Sequence, residues 1–158
     1  MKILTNNMKG REKLKRILHI VLRSAFGICL FLSQFTSNRN TIFTDNFYLL
    51  FLGILFLTGG ILLLIKASLH LRKAINAEDI VISGPFKYIR HPIYTSMYIF
   101  SIGLGLIFFA WLWFIVMIIF IPFWYLECRE EEKEMIKLYG QKYIDYRKKT
   151  GMFLPRIR

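Results

Sequence analysis

The chain has few of the residues that build a disulfide scaffold or a metal centre. Its 158 residues include two cysteines, four prolines, three histidines and ten acidic residues against 22 lysines and arginines. Cys29 sits inside an apolar run and Cys128 at the edge of another, so they give no oxidised framework. No spacing of Cys, His or carboxylates matches a zinc or iron site, and His19, His70 and His91 stand far apart, so no metal is expected. No internal repeat or low-complexity linker divides the chain, and residues 1–158 read as one domain. The shortage of acid leaves a formal charge of +12. Nucleic-acid binding would use such a charge. However, the apolar residues fall in long uncharged runs that a soluble nucleic-acid binder could not keep out of water, and no nucleic-acid partner is expected.

What is abundant is apolar and aromatic: 55% hydrophobic residues and 16% Phe, Trp or Tyr. Residues 47–65 carry no charge over about the length needed to cross roughly 30 Å of hydrocarbon. Residues 93–126 are also uncharged, and as one helix they would be roughly 50 Å long. They read better as a helical hairpin with its tip near Phe109-Ala110-Trp111 and spans over 93–108 and 112–126. A first span over 17–35 carries His19 and Arg23 near its start. No small-x-small cleavage site follows it, so an uncleaved span is expected rather than a signal peptide. The expected architecture is therefore an all-α integral membrane protein of about four spans, followed by cytoplasmic helices.

Basic residues orient it. Residues 1–23 carry seven Lys or Arg, residues 66–92 five, and the tail from Glu127 nine, whereas the 36–46 connection holds Arg39 alone and the hairpin tip none. Four spans with both termini in the cytoplasm satisfy the positive-inside rule at every loop. The Ile/Lys/Asn-rich composition and small size suit a prokaryotic inner membrane.

The concentrated polar features then share the cytoplasmic side, in residues 80–94 and 127–158. Ser83-Gly84-Pro85-Phe86-Lys87-Tyr88-Ile89-Arg90-His91-Pro92-Ile93-Tyr94 is a cationic, aromatic turn at the boundary of an apolar run. Pro92 disfavours helix at His91 and suits the first position of the next helix, whose free amides would face Arg90 and His91 and favour an anion. Tyr88 and Tyr94 can offer a ring face to a cation. An interfacial anchor that binds membrane lipid headgroups accounts for the same residues. Five glutamates follow between Glu127 and Glu134, a solvated face laced by Lys133 and Lys137 or, in the sharper reading, a carboxylate facing Arg90 and His91. Tyr139-Gly140 reads as a helix stop, and Arg147-Lys148-Lys149 as a headgroup contact.

These residues, in this order, resemble the isoprenylcysteine carboxyl methyltransferase family and the related membrane phospholipid methyltransferases. The shared pattern runs from Gly84 through Arg90-His91-Pro92 to Tyr94, across the hydrophobic hairpin, to Glu131-Glu132, Tyr139-Gly140, Tyr143, Tyr146 and Pro155. The resemblance covers roughly residues 80–158. It implies methyl transfer from S-adenosylmethionine to a lipophilic or membrane-embedded acceptor. Phe86, Lys87, Tyr88, Ile89, His91 and Tyr94 would be cofactor contacts, Glu131 the partner of a polar cofactor group, and Arg90, His91 and Glu131 the catalytic set. Family members that act on prenylcysteine can carry Arg four residues before that Glu. Here the position is Glu127, which counts against a prenylcysteine acceptor. A phospholipid N-methyltransferase, a nicotinamide-dependent membrane reductase and a non-enzymatic lipid-binding scaffold are the rival readings.

Overall fold

The computed structural model describes residues 21, 24, 25, 27–29 and 46–156, and among these the protein is all-helical. Most of the expected first span at 17–35 lies outside the described residues. Helix α1 runs Phe47–Asn76. Asn46 caps it through Oδ1, which accepts from the amides of Tyr48 at 3.0 Å and Leu49 at 3.3 Å. The helix continues past the charge-free stretch through Lys66 without a break. A 3-10 turn over Gly84–Lys87 leads into α2, Pro92–Ile107, with Pro92 at the first helical position and His91 as its cap residue.

The chain reverses at Phe108–Ala110, where Phe109 takes a positive φ of 48°, and α3 starts at Trp111. Break and restart fall within a residue of the expected hairpin tip. Helix α3 does not stop at Leu126, however, but runs unbroken to Tyr139. Nothing between Leu126 and Tyr139 breaks a helix, and Glu, Lys and Met are good helix formers, so the apolar segment and the acidic segment form one rod. Gly140, with φ 56° and ψ −131°, ends it, and α4 follows over Gln141–Lys149.

Among the described residues two helices, α1 and α3, are long and apolar enough to cross a membrane. Helix α2 is apolar but has 16 residues, or about 24 Å of rise, short against a hydrocarbon layer of roughly 30 Å. The hairpin is cemented by Trp113, whose indole N–H donates to the Ser101 carbonyl at 2.9 Å. Around it Ala110, Met117 and Trp124 are buried against Tyr94, Tyr98 and Phe114. A second apolar cluster of Ala67, Val81 and Phe86 seats the 80–87 loop on α1. Gly84 takes a positive φ of 59°, and a Cβ there would meet the His70 ring at 2.4 Å. That ring in turn contacts Ser83 Oγ at 2.9 Å through Nδ1. Glycine at the head of the motif is thus required twice, by backbone conformation and by space.

Candidate functional site

The end of α1, the start of α2, the end of α3 and all of α4 meet at the polar end of the bundle. Residues 88–91 and 151–152 clasp each other there. The Arg90 amide donates to the Gly151 carbonyl at 2.8 Å, the His91 amide to the Met152 carbonyl at 3.1 Å, and the Gly151 amide to the Tyr88 carbonyl at 3.2 Å. Thr95 Oγ1 adds a bond to the Phe153 carbonyl at 3.0 Å. Tyr146 closes the other side by donating its hydroxyl to the Phe86 carbonyl at 2.7 Å. Burial pushes that phenol up to about 12, so it stays a neutral donor.

The ionic centre of the clasp is Glu132, of which 2% of the side chain is exposed. Arg90 Nε donates to Glu132 Oε1 at 2.7 Å, Arg147 Nε lies 3.3 Å from Oε2, and His91 Nε2 lies 3.4 Å from Oε1. Arg90 Nη1 also donates to the carbonyls of Arg147, at 3.1 Å, and Thr150. Burial alone would raise the Glu132 carboxyl. His91 and Arg90 beside it outweigh that burial and hold the group below its ordinary value of 4.5. A lowered folded-state value adds stability that is fully present above the unfolded value and is lost as pH falls through the folded one. The melting temperature in lipid nanodiscs should therefore stay level from neutrality to about pH 5 and fall below about pH 4. Glu132→Gln should flatten that acid limb, and an unchanged limb would remove Glu132 as its source.

Next to the clasp is a cleft of about 270 Å³ lined by Arg90, His91, Tyr94, Glu131, Tyr143 and Tyr146 over an apolar floor that includes Val81, Phe86 and Met135. Tyr94 donates its hydroxyl to Glu131 Oε1 at 2.5 Å, and Glu131 Oε2 lies 3.6 Å from His91 Nδ1. The His91 and Tyr94 rings meet edge-on at 5.8 Å. A larger cavity of about 750 Å³ continues among the apolar helices past Gly60, Ile61, Leu64, Met97, Phe100 and Trp124. The two spaces share Leu71, Ile93, Tyr94 and Glu131.

Five of the residues singled out in the sequence therefore converge on the cleft: Phe86, Arg90, His91, Tyr94 and Glu131. Three do not line it. Lys87 lines a separate groove with Lys142, Asp145 and Lys149, Tyr88 is 59% exposed, and Ile89 is buried at the clasp, bridged to Gly151. Arg90 is at the cleft but committed to Glu132 and the α4 carbonyls, which leaves it less able to bind an anion than its sequence position suggests. Glu132 and Arg147 carry the clasp and were read as half of a motif pair and as a headgroup contact. Glu127 is buried as well, whereas Glu130 is the expected solvated partner of Lys133, at 2.6 Å. Glu132 is buried while its neighbour Glu131 is 41% exposed, and nothing in the local sequence distinguishes the two.

Fold and site together define a small helical protein, membrane-associated through its apolar helices, with a polar cleft at one end. The chain belongs to the phospholipid methyltransferase family, matched over residues 22–142, the family that includes isoprenylcysteine carboxyl methyltransferases. No curated protein matches the sequence. The family match makes methyl transfer the activity class, and it ends at Lys142, before the Arg147–Met152 half of the clasp.

Proposed function

We propose that the protein transfers a methyl group from S-adenosylmethionine to a lipophilic acceptor that reaches the cleft through the inter-helix cavity, with the polar end of the bundle in the cytoplasm. The observation that carries this reading is the junction of the two spaces at Tyr94 and Glu131. One space is small, polar-rimmed and floored with apolar and aromatic side chains. The other is larger and apolar. A soluble cationic cofactor and a lipid acceptor differ in these respects.

The residues fit the cofactor's chemistry. Glu131 suits its ammonium or ribose hydroxyls, and the tyrosine rings and Phe86 suit a flat base or a sulfonium. The cofactor, when bound, supplies a methyl carbon already activated for displacement by its sulfonium leaving group. The chain then has to align the nucleophile, exclude water and manage protons. Tyr94, hydrogen-bonded to Glu131, stands where the two spaces meet and can hold the acceptor in line. Trp124 and Phe100 line the apolar side and give water no polar partner there.

A carboxylate or thiolate acceptor needs no general base. An amine must lose a proton before attack, and His91 or Glu131 is placed to take it.

Calorimetric titration with S-adenosylhomocysteine tests the reading. Saturable binding is expected, weakened about 100-fold by Glu131→Gln, which removes a charge-assisted bond of roughly 2–3 kcal/mol. Glu130→Gln, on the Lys133 side of the same helix, should change it by less than about twofold. Binding of NADPH in place of S-adenosylhomocysteine would favour a reductase. Equal loss in the two variants would reduce Glu131 to part of a charged face. Parallel assays with an ethanolamine lipid and a prenylcysteine would separate N- from O-methylation.

A further inference from the structure

His91, Cys128 and Glu131 come together although no local sequence motif joins them. One ring nitrogen, the thiol sulfur and one carboxylate oxygen all lie within 4.8 Å of one another. Cys128 and Glu131 are one turn apart on α3, and His91 is the cap residue of α2. Cys128 is fully buried and His91 is 8% exposed. We propose that these three side chains form a binding site for a thiophilic divalent transition metal such as Zn²⁺, and that metal and cofactor exclude each other there.

The donor set decides the class of ion. Nitrogen, sulfur and one carboxylate oxygen suit Zn²⁺ or Co²⁺, whereas Mg²⁺ and Ca²⁺ take oxygen shells. With Zn–N and Zn–O near 2.1 Å and Zn–S near 2.3 Å, tetrahedral ligands sit about 3.3–3.8 Å apart, so the three donors need to close by roughly 1 Å. Rotation of the Glu131 carboxylate away from Tyr94 supplies much of that. His91 is already oriented for the role. Its Nδ1 faces Glu131 at 3.6 Å, while Nε2, buried and without a hydrogen bond, faces Glu132 Oε1 at 3.4 Å. Closing the Nε2–Glu132 gap to a hydrogen bond would complete the carboxylate–histidine–metal arrangement, in which the outer carboxylate fixes the ring and its tautomer. The mutual exclusion rests on the proposed cofactor role of His91 and Glu131; the metal site itself does not.

Co²⁺ titration of the full-length, metal-free protein in detergent is the test. A saturable near-ultraviolet thiolate-to-cobalt band is expected, displaced by Zn²⁺, absent in Cys128→Ser and retained in Cys29→Ser. Saturating Zn²⁺ should then weaken S-adenosylhomocysteine binding about tenfold or more in the wild type and little in Cys128→Ser. No thiolate band in folded wild-type protein, or a band that survives Cys128→Ser, overturns the site. Because the wild-type spectrum alone can fail the site, the conclusion does not hang on the folding of one variant. A band with undiminished S-adenosylhomocysteine binding overturns the exclusion. A band in a protein that never binds S-adenosylhomocysteine sinks the methyltransferase reading and leaves the metal site standing.

Discussion

Arg90→Ala should release the polar end of the bundle, costing about 3–5 kcal/mol, because it leaves the Glu132 carboxylate buried with most of its compensation gone. The side chains are 10% and 2% exposed, so water cannot substitute for the lost partner. The remaining partners are weaker: Arg147 is 39% exposed at 3.3 Å, and His91 stands at 3.4 Å. Arg90 also ties α4 through the carbonyls of Arg147 and Thr150, so its loss acts on three elements. Hydrogen exchange should show residues 141–153 opening while the α2–α3 hairpin stays protected. Arg90→Lys should recover only part of the loss, since an ammonium cannot reproduce the fork that reaches Glu132 and two carbonyls at once. Full protection in Arg90→Ala would mean that the clasp is held by its backbone bonds alone. Arg90→Lys indistinguishable from wild type would mean that only its charge matters.

The same pair shows where sequence reading stops. Local features were legible because they depend on neighbours in the chain: Pro92 at a helix start, the reversal at 108–110, the stop at Gly140, the turn at Ser83-Gly84-Pro85. The convergence of Phe86, His91, Tyr94 and Glu131 was legible through an ordered motif. The choice between Glu131 and Glu132 as the partner of Arg90 was not. Adjacent helical residues point about 100° apart, so which one meets Arg90 depends on how α3 is rotated against α2. Packing of Trp113 and Met117 against the hairpin sets that rotation, and no local pattern encodes it. Arg147 went unread for a similar reason: in a run of three basic residues only the fold shows which one turns inward. The apolar span to Leu126 and the helix stop at Gly140 belong to one helix, because a change from apolar to charged residues marks a change of solvent, and the helix itself takes no notice of it.

The second large effect is expected from the same substitution to valine at two adjacent glycines, costly at one and tolerated at the other. In Gly60→Val, the new Cβ would stand 2.6 Å from the Phe100 amide nitrogen and 2.9 Å from its Cα, against backbone that cannot rotate away. In Gly59→Val nothing lies within 4 Å of the added Cβ. The contact at Gly60 belongs to a seam in which a Cβ on Gly103 would approach Leu57 N at 2.6 Å and Gly53 O at 2.7 Å. Small residues here let α1 and α2 approach backbone to backbone, which is how helices associate where lipid gives no hydrophobic drive. Gly60→Val should therefore destabilise by about 3 kcal/mol, the upper end of the range for overpacking, since relief requires separating two helices. Gly59→Val should be neutral or slightly stabilising, because valine replaces the residue that loses most backbone freedom on ordering. Gly60 also lines the larger cavity, so a separation of α1 from α2 would reshape the space assigned to the acceptor. Thermal melts of the two variants in the same nanodiscs decide the matter. Equal melting temperatures would place the α1–α2 seam elsewhere on α1. A loss at Gly60 with S-adenosylhomocysteine binding retained would separate the packing of the acceptor space from the cofactor cleft.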